Sequence, residues 1–324
     1  MTEHSISIAM CTYNGAAFVR QQLDSFARQT RLPTEVIICD DRSTDNTVDI
    51  VREFTASAPF PVQVVVNDEN LGVAGNFGKA IGLCTGEIIA LSDQDDIWRD
   101  DKLDVIAAAF ANAPALSLVF TDADLVDQQL TPMGRRLSDT GHIDAELRRQ
   151  LESDAAFELL LRRNVATGAT IAFRRSLTGL ILPIPDKLLT YHDAWIVCLA
   201  AAVGRLTFLP EPLIQYRQHP QQHTWDFVYV HGAKRVLDRM YYSAHLVQLL
   251  ELRNRLSTAG KLAAAAPAIV HLDGYIEHLR RRSTLPVGRL SRLAPILSEL
   301  MSGRYGRYSS GLRSAARDLV APSE

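Results

Sequence analysis

EIIALSDQDDIW, residues Glu87–Trp98, runs from an apolar, β-branched segment straight into three carboxylates, Asp93, Asp95 and Asp96. Two more, Asp100 and Asp101, follow shortly after. Like charges this close repel unless a cation or a hydrogen-bond network holds them. A short apolar run ending in acids reads as a buried strand whose C-terminal end opens on a ligand. Alternation along an extended segment puts Asp93 and Asp95 on the same side. Two hard oxygen donors facing one way suit Mg²⁺ or Mn²⁺, with water and diphosphate oxygens completing the octahedron. The competing reading is a solvated turn capping the helix that starts near Asp100. Three carboxylates within four residues exceed what a cap needs.

Outward from this stretch, strand-like and helix-like segments alternate. ISIAMCTY, EVIICDD, VQVVVND and EIIALSD read as strands; AAFVRQQLDSFARQT, DNTVDIVREFTAS, GVAGNFGKAIGLC and DKLDVIAAAFANA read as helices. Alternation with short connections predicts an α/β fold, a doubly wound, mostly parallel sheet with helices on both faces. Past about residue 150 the pattern loosens: DAAFELLLRRN and HDAWIVCLAAAVG are expected to be helical, and RLTFLPEPLIQYRQH extended with its prolines at turns. After Trp225 the apolar spacing becomes helical, and Pro286 and Pro295 are expected to break the tail.

The chain has 324 residues, 47% hydrophobic, ample for a substantial core. Cys11, Cys39, Cys84 and Cys198 are scattered without CxxC spacing and read as reduced core residues. The N-terminal stretch lacks the basic and apolar regions of a signal peptide, and no apolar run reaches membrane-spanning length. A cytoplasmic protein is therefore expected. The net charge of −3 hides an asymmetry: residues 1–150 hold 12 Lys+Arg against 23 Asp+Glu, whereas residues 279–318 hold nine Arg against Glu299 and Asp318. An acidic first half binds phosphate poorly without a mediating cation. A basic tail with interspersed leucines fits either an anionic membrane surface or a solvated helix face. Nucleic acid is not an expected partner, because no basic patch is interleaved with aromatics.

VIICDDRSTDNT places Asp40 and Asp41 at another strand end, where a carboxylate can accept from a nucleobase imide or ribose hydroxyl, or simply serve a turn. Gly72, Gly75 and Gly78 have GxxGxxG spacing, not the dinucleotide fingerprint, and read as helix packing. Trp98 reads as core packing before sugar stacking; Lys102 either meets the acids or points to water.

Taken in order, ISIAMCTYNGAAFVRQQLDSFARQT, EVIICDDRSTDNTVDIV, NDENLGVAGNFGKAI and IIALSDQDDIW resemble the second family of inverting glycosyltransferases, which have the GT-A fold. The match covers roughly residues 5–220, and SDQDDIW looks most like the bacterial rhamnosyltransferase branch, whose usual donor is dTDP-rhamnose. The resemblance implies that Thr12, Tyr13, Asn14, Asp40, Asp41, Asn70, Asn76, Asp93 and Arg217 bind the donor nucleotide. It makes DQD the DxD motif, with Asp93, Asp95 and His219 holding the metal, Mg²⁺ or Mn²⁺. NVATGATIAFRR and YHDAWIVCLA then supply the acceptor side, Thr167, Gly168, His192 and Trp195, with Asp193 as catalytic base. Pro220 and Gln222 stand where relatives often carry small residues.

The implied domains are a catalytic domain over residues 1–224, its donor half 1–110 and acceptor half 111–224, and a basic helical region over 225–324. The implied partners are a nucleotide-diphosphate sugar, a saccharide or lipid-linked acceptor, and an anionic membrane surface met by the C-terminal region at the inner face of the plasma membrane. Two other classes compete. A phosphorylated receiver domain is shorter and has its acidic pair after the first strand, where this chain has CTYNG. A noncatalytic nucleotide-binding scaffold should have lost the base or the DxD pair, and both are present.

Overall fold

The apolar runs that alternate with helices assemble into one mixed sheet. The computed structural model describes residues 4–186, 192–220, 222, 239–258 and 262–320. In chain order the first half comprises β1 (Ile6–Thr12), α1 (Val19–Ala27), β2 (Glu35–Asp40), α2 (Thr47–Thr55), β3 (Val62–Val66), α3 (Gly72–Leu83), β4 (Ile88–Ser92), β5 (Ile97–Trp98) and α4 (Lys102–Asn112). Then come β6 (Leu116–Val126), β7 (Pro132–Arg136), α5 (Leu137–Gly141), α6 (Ala145–Leu151), α7 (Ala156–Arg162), β8 (Ile171–Arg174), α8 (Thr178–Ile181), α9 (His192–Val203) and β9 (Arg205–Arg217). The strand order is β3-β2-β1-β4-β8-β6-β9-β5, with β7 attached to β6.

Strands β1 to β4 are parallel to one another. Strands β1, β2 and β4 are nearly continuous buried runs, as expected where helices cover both faces. Ile8, Ile38, Phe26, Val51, Leu103 and Phe110 belong to the resulting core. The mostly parallel sheet takes antiparallel neighbours beyond β4: β8 runs antiparallel to both β4 and β6, and β5 antiparallel to β9, while β6 and β9 are again parallel. After residue 150 the amphipathic period fades because α9 is buried at nearly every position and so is apolar all round.

The segment expected to turn at its prolines is instead one strand, β9. Its pairing with β6 jumps from Thr121↔Leu209 to Asp122↔Pro212, so Pro210 sits in a bulge where a missing N–H costs no ladder bond. That long strand carries the chain from the bottom of the sheet back to the acidic strand end.

The chain divides into two compact units, Met1–Gly232 and Ala233–Glu324. The second is helical: α10 (Arg239–Thr258), α11 (Leu262–Ser283), α12 (Leu293–Met301), α13 (Arg304–Tyr308) and α14 (Leu312–Val320). The stretch just after Trp225, expected to be helical, lies outside the described residues. Pro295 does not break the tail; it sits in the first turn of α12, where its missing N–H has no partner to lose. No helix among the described residues is long and apolar enough to cross a membrane.

Candidate active site

The acidic strand end is held by its own chain. After β4, Asp93–Asp96 form a loop that β5 locks against β9 through Ile97↔Gln215 and Trp98↔Ile214. This pairing returns Arg217 and His219 to the acids. The Arg217 N–H donates to Asp96 Oδ1 at 3.0 Å, and its Nε donates to the Asp95 carbonyl at 2.7 Å. Its remaining nitrogens reach the Gln128 carbonyl and Gln21 Oε1, each at 2.6 Å, and the guanidinium lies 4.8 Å from the Phe18 ring. His219 Nε2 is 2.9 Å from Asp95 Oδ2, and its ring packs on Phe18 with centroids 4.6 Å apart. Arg217, expected at the donor, here braces the acidic loop, its nitrogens engaged with protein acceptors.

Lys102 does not point to water. It is fully buried, its Nζ 3.6 Å from the Trp98 ring centroid and donating to the Ala169 carbonyl at 3.1 Å. Burial pushes its pKa well down, while Asp96 and Asp93 pull it back up. Burial first, then the charge of Asp95, raises both Asp93 and Asp96 above the usual carboxylate range, and Asp193 adds to the repulsion at Asp93. Lys102 offsets part of it. The positive charge that the sequence seemed to lack is partly internal. The rest of the imbalance is what a divalent cation would relieve.

On the donor side the loops after β1 and β2 are knitted together. Asp40 Oδ2 accepts from the Thr12 and Ser43 hydroxyls, and Oδ1 accepts from the Ser43 N–H. Asp41 accepts from Asn67 Nδ2 and from the N–H groups of Leu71 and Gly72, at the start of α3. Asn76 is spent on the Cys39 carbonyl and on Asn67, and Asn70 on the Asp41 carbonyl. Asn76 is therefore corrected: a buried amide with protein partners positions Asp41 and offers a nucleotide nothing directly. Each of the two carboxylates has three protein donors and room for about one more. Gly72 has φ +69° and Asn14 φ 48°, left-handed conformations that suit these two residue types. Tyr13 leaves its ring exposed beside this surface.

The acceptor side is built on the first turn of α9. Asp193 is buried, accepting from Asn164 Nδ2 at 3.0 Å and from the Ala194 N–H at 2.6 Å, and the Gly168 N–H adds a further bond. Burial outweighs these donors and pushes its pKa up to about 7. His192 stacks on Phe77, centroids 4.3 Å apart, and burial lowers it to about 4, so it is neutral at physiological pH. Both its ring nitrogens are buried without a partner among the described residues. Gly168 permits this: a Cβ there would lie 2.8 Å from His192 Nε2. Thr167 gives its carbonyl to the Thr170 hydroxyl. Trp195 is corrected: it is 0% exposed, its indole N–H donates to the Ile181 carbonyl at 2.9 Å, and it packs the core.

Sequence reasoning missed Asn164, Phe77, Gln21 and Gln94. None carries a charge or a motif position with recognised chemistry, and only the folded chain brings them to the site.

Whether the acids suit a metal rests on the donor set. Asp93 and Asp95 are hard oxygen donors, and Asp96 Oδ2 and His219 Nδ1 are buried without partners among the described residues. That set fits Mg²⁺ or Mn²⁺, which take carboxylates together with water and phosphate oxygens. No group of three or more His, Cys, Asp or Glu side chains among the described residues is placed to hold a metal ion, so most ligands would have to come from substrate and solvent.

Comparison with known proteins places the chain in a family. The family model described as glycosyl transferase family 2 matches residues 7–179. An uncharacterized glycosyltransferase of Nostoc is 28% identical over 66% of this chain and 65% of its own length. An uncharacterized protein of Mycobacterium tuberculosis is 31% identical over 66% of this chain and 59% of its own. The chain thus spans about three-fifths of the length of these relatives. The dTDP-rhamnosyl transferase RfbG of Shigella flexneri is 40% identical over 29% of this chain and 34% of its own. Among solved structures, Staphylococcus aureus TarS in complex with UDP-GlcNAc superposes with a TM-score of 0.58 at 17% identity, covering 96% of this chain and 90% of that one. The mannosyltransferase PcManGT of Pyrobaculum calidifontis, in complex with GDP-Man and Mn²⁺, gives 0.50 at 18% identity over 100% and 83%. At these identities the structures establish the shared fold.

Proposed function

The chain belongs to glycosyl transferase family 2, and from that premise we propose that it is a metal-dependent inverting transferase moving a sugar from a nucleotide diphosphate to a hydroxyl. One observation carries the reading: a carboxyl, Asp193, is buried at the start of α9 and held by Asn164 and the Ala194 N–H, a setting whose burial pushes its pKa up to about 7. A general base works best with a pKa near the operating pH, and such help is worth about 10²–10⁴ in rate.

In this reading the nucleotide lies over the β1 and β2 loops, with the Tyr13 ring beside the base. The acceptor lies against the surface formed by Gly168 and the neutral His192 beneath it. Asp193 takes the proton from the acceptor hydroxyl. The freed oxygen pair forms the bond to the anomeric carbon from the face opposite the diphosphate. The bond from that carbon to the phosphate oxygen breaks, its electrons leave with the nucleotide diphosphate, and the configuration inverts. A divalent cation held by Asp93 and Asp95, when bound, supplies positive charge for the departing diphosphate. Arg217 and His219 keep the acidic loop in place meanwhile.

The segment shared with a dTDP-rhamnosyl transferase favours dTDP-rhamnose as donor, with a UDP-sugar the alternative, given a relative described as a UDP-Glc-dependent glucosyltransferase of Escherichia coli. That relative acts on a diphosphoundecaprenol-linked sugar by its name, which supports a saccharide or lipid-linked acceptor and a place in cell-surface polysaccharide synthesis. Incubating the protein with dTDP-, UDP- and GDP-sugars, Mn²⁺ and a panel of saccharide acceptors tests this. An inverted glycoside is expected. Donor binding without transfer to any acceptor would make it a scaffold, and a retained anomer would remove Asp193 as base.

A further inference from the structure

The C-terminal unit carries an outward apolar line with no covering element among the described residues. Val287, Leu290, Leu293, Leu297 and Met301 are 60%, 84%, 41%, 55% and 85% exposed. From Leu290 onward they are spaced by three, four and four, which aligns them along α12 and the turn before it. The opposite face of α12 turns Ile296 inward against Tyr305 and Ala315, and buries Glu299 as well. Helix α14 repeats the arrangement: Leu312 and Val320 are 75% and 59% exposed, while Ala315 and Asp318 are buried. Isolated exposed leucines need no explanation, but contiguous ones mark an interaction surface.

Charge decides what that surface meets. Glu299 and Asp318 are the acids between residues 279 and 318, and both are buried. Glu299 is held by His278, Arg281 and Arg304, and Asp318 by Arg282 and Tyr305. The outside of this stretch therefore presents arginines, among them Arg289, Arg313 and Arg317, alongside the apolar lines. A second copy would set arginine against arginine, because a twofold interface pairs a patch with itself. A single-stranded nucleic acid would be gripped by exposed stacking rings, yet Tyr305 and Tyr308 are buried, and a duplex would leave the apolar line uncovered. We infer that α12 and α14 form a face that docks on an anionic lipid bilayer, the leucines and methionine entering the headgroup boundary and the arginines meeting lipid phosphates. The inference stands apart from the transfer reading, since it rests on this unit alone.

Flotation of the full-length protein tests it, with vesicles of phosphatidylcholine alone or mixed with phosphatidylglycerol, and no nucleotide sugar present. The wild type floats with the anionic vesicles, more weakly as salt is raised. The triple variant L290S/L297S/M301S, whose replaced side chains are exposed, keeps its circular dichroism and melting temperature and binds at least about tenfold less. R289Q/R313Q/R317Q also loses binding to anionic vesicles. Wild-type protein that stays with the unbound fraction in both mixtures overturns the inference. So does equal flotation of the L290S/L297S/M301S variant, or a wild-type dimer in sedimentation equilibrium that this variant disperses without any vesicle binding.

Discussion

The side-chain amide of Gln94 closes both backbone hydrogen bonds of Tyr13: it accepts from the Tyr13 N–H and donates to the Tyr13 carbonyl, each at 2.9 Å. The middle residue of DQD thereby pairs with the loop after β1 as a neighbouring strand would. Gly15 makes room, because a Cβ there would lie 2.1 Å from Gln94 Oε1. The loop that presents Tyr13 and the loop that presents Asp93 and Asp95 are clipped into one body.

Removing the clip should loosen the donor site without touching chemistry. Gln94→Ala loses two hydrogen bonds worth about 0.5–1.5 kcal/mol each, so the donor KM rises roughly tenfold while kcat changes little. Gly15→Ala displaces the same amide. The double variant should be no worse than the worse single one, since both break one contact. Additive losses in steady-state kinetics would show that the two residues act separately.

Arg217 braces the acids through its planar fork, reaching Asp95, Gln128 and Gln21 at once. Lysine keeps the charge but not the geometry. Arg217→Lys is expected to lower stability by about 2–4 kcal/mol in urea unfolding, from charged hydrogen bonds lost in a buried setting. It should also raise the metal concentration needed for half activity. If unchanged stability accompanied an altered nucleotide affinity, the guanidinium would face the diphosphate after all.

The donor half was readable because parallel strands buried on both faces appear as unbroken apolar runs, and their ends carry acids. Asp93 and Asp95 stand out as strand-end acids this way, and Asp40 and Asp41 with them. The sequence could not show that three donors of the chain occupy most of each carboxylate of the latter pair, because those donors come from Thr12, Ser43, Asn67 and the start of α3. β9 hid behind two prolines that a bulge accommodates. Trp195 and Arg217 stood in motif positions but point into protein, and a motif records neighbours along the chain, not direction. Lys102 was ambiguous for the same reason: burial under Trp98 is a property of β5 and α4 together.

Metal removal should abolish transfer. Chelation with EDTA is expected to stop the reaction and added Mn²⁺ to restore it, with Asp93→Asn and Asp95→Asn each weakening Mn²⁺-dependent binding of nucleotide diphosphate by calorimetry. Because burial and Asp95 hold a proton on Asp93 above the usual range, metal and proton compete there. Metal affinity should therefore rise with pH through neutrality in the wild type, and much less in Asp93→Asn. Nucleotide binding of equal strength with and without Mn²⁺ would contradict the assignment.

Asp193 ties the rate and the stability to one proton. Its pKa is about 7 when folded against 3.8 for an ordinary aspartate. The base must be ionised to work, so kcat should climb about tenfold per pH unit below 7 and level off above it. Between about pH 4 and 7 the folded chain holds a proton that the unfolded chain has released. Stability from this group is thus full below about pH 4 and is lost as pH rises through 7. Asp193→Asn keeps an oxygen for Asn164, Ala194 and Gly168 to donate to, and removes the cost of a buried charge. It should lose about 10²–10⁴ in kcat yet melt higher than wild type at pH 8, by no more than about 4 kcal/mol, and alike at pH 4. A variant that is less stable at pH 8 would mean that the carboxylate is better solvated than its burial implies, and the acidic limb of the rate profile would then belong to another group.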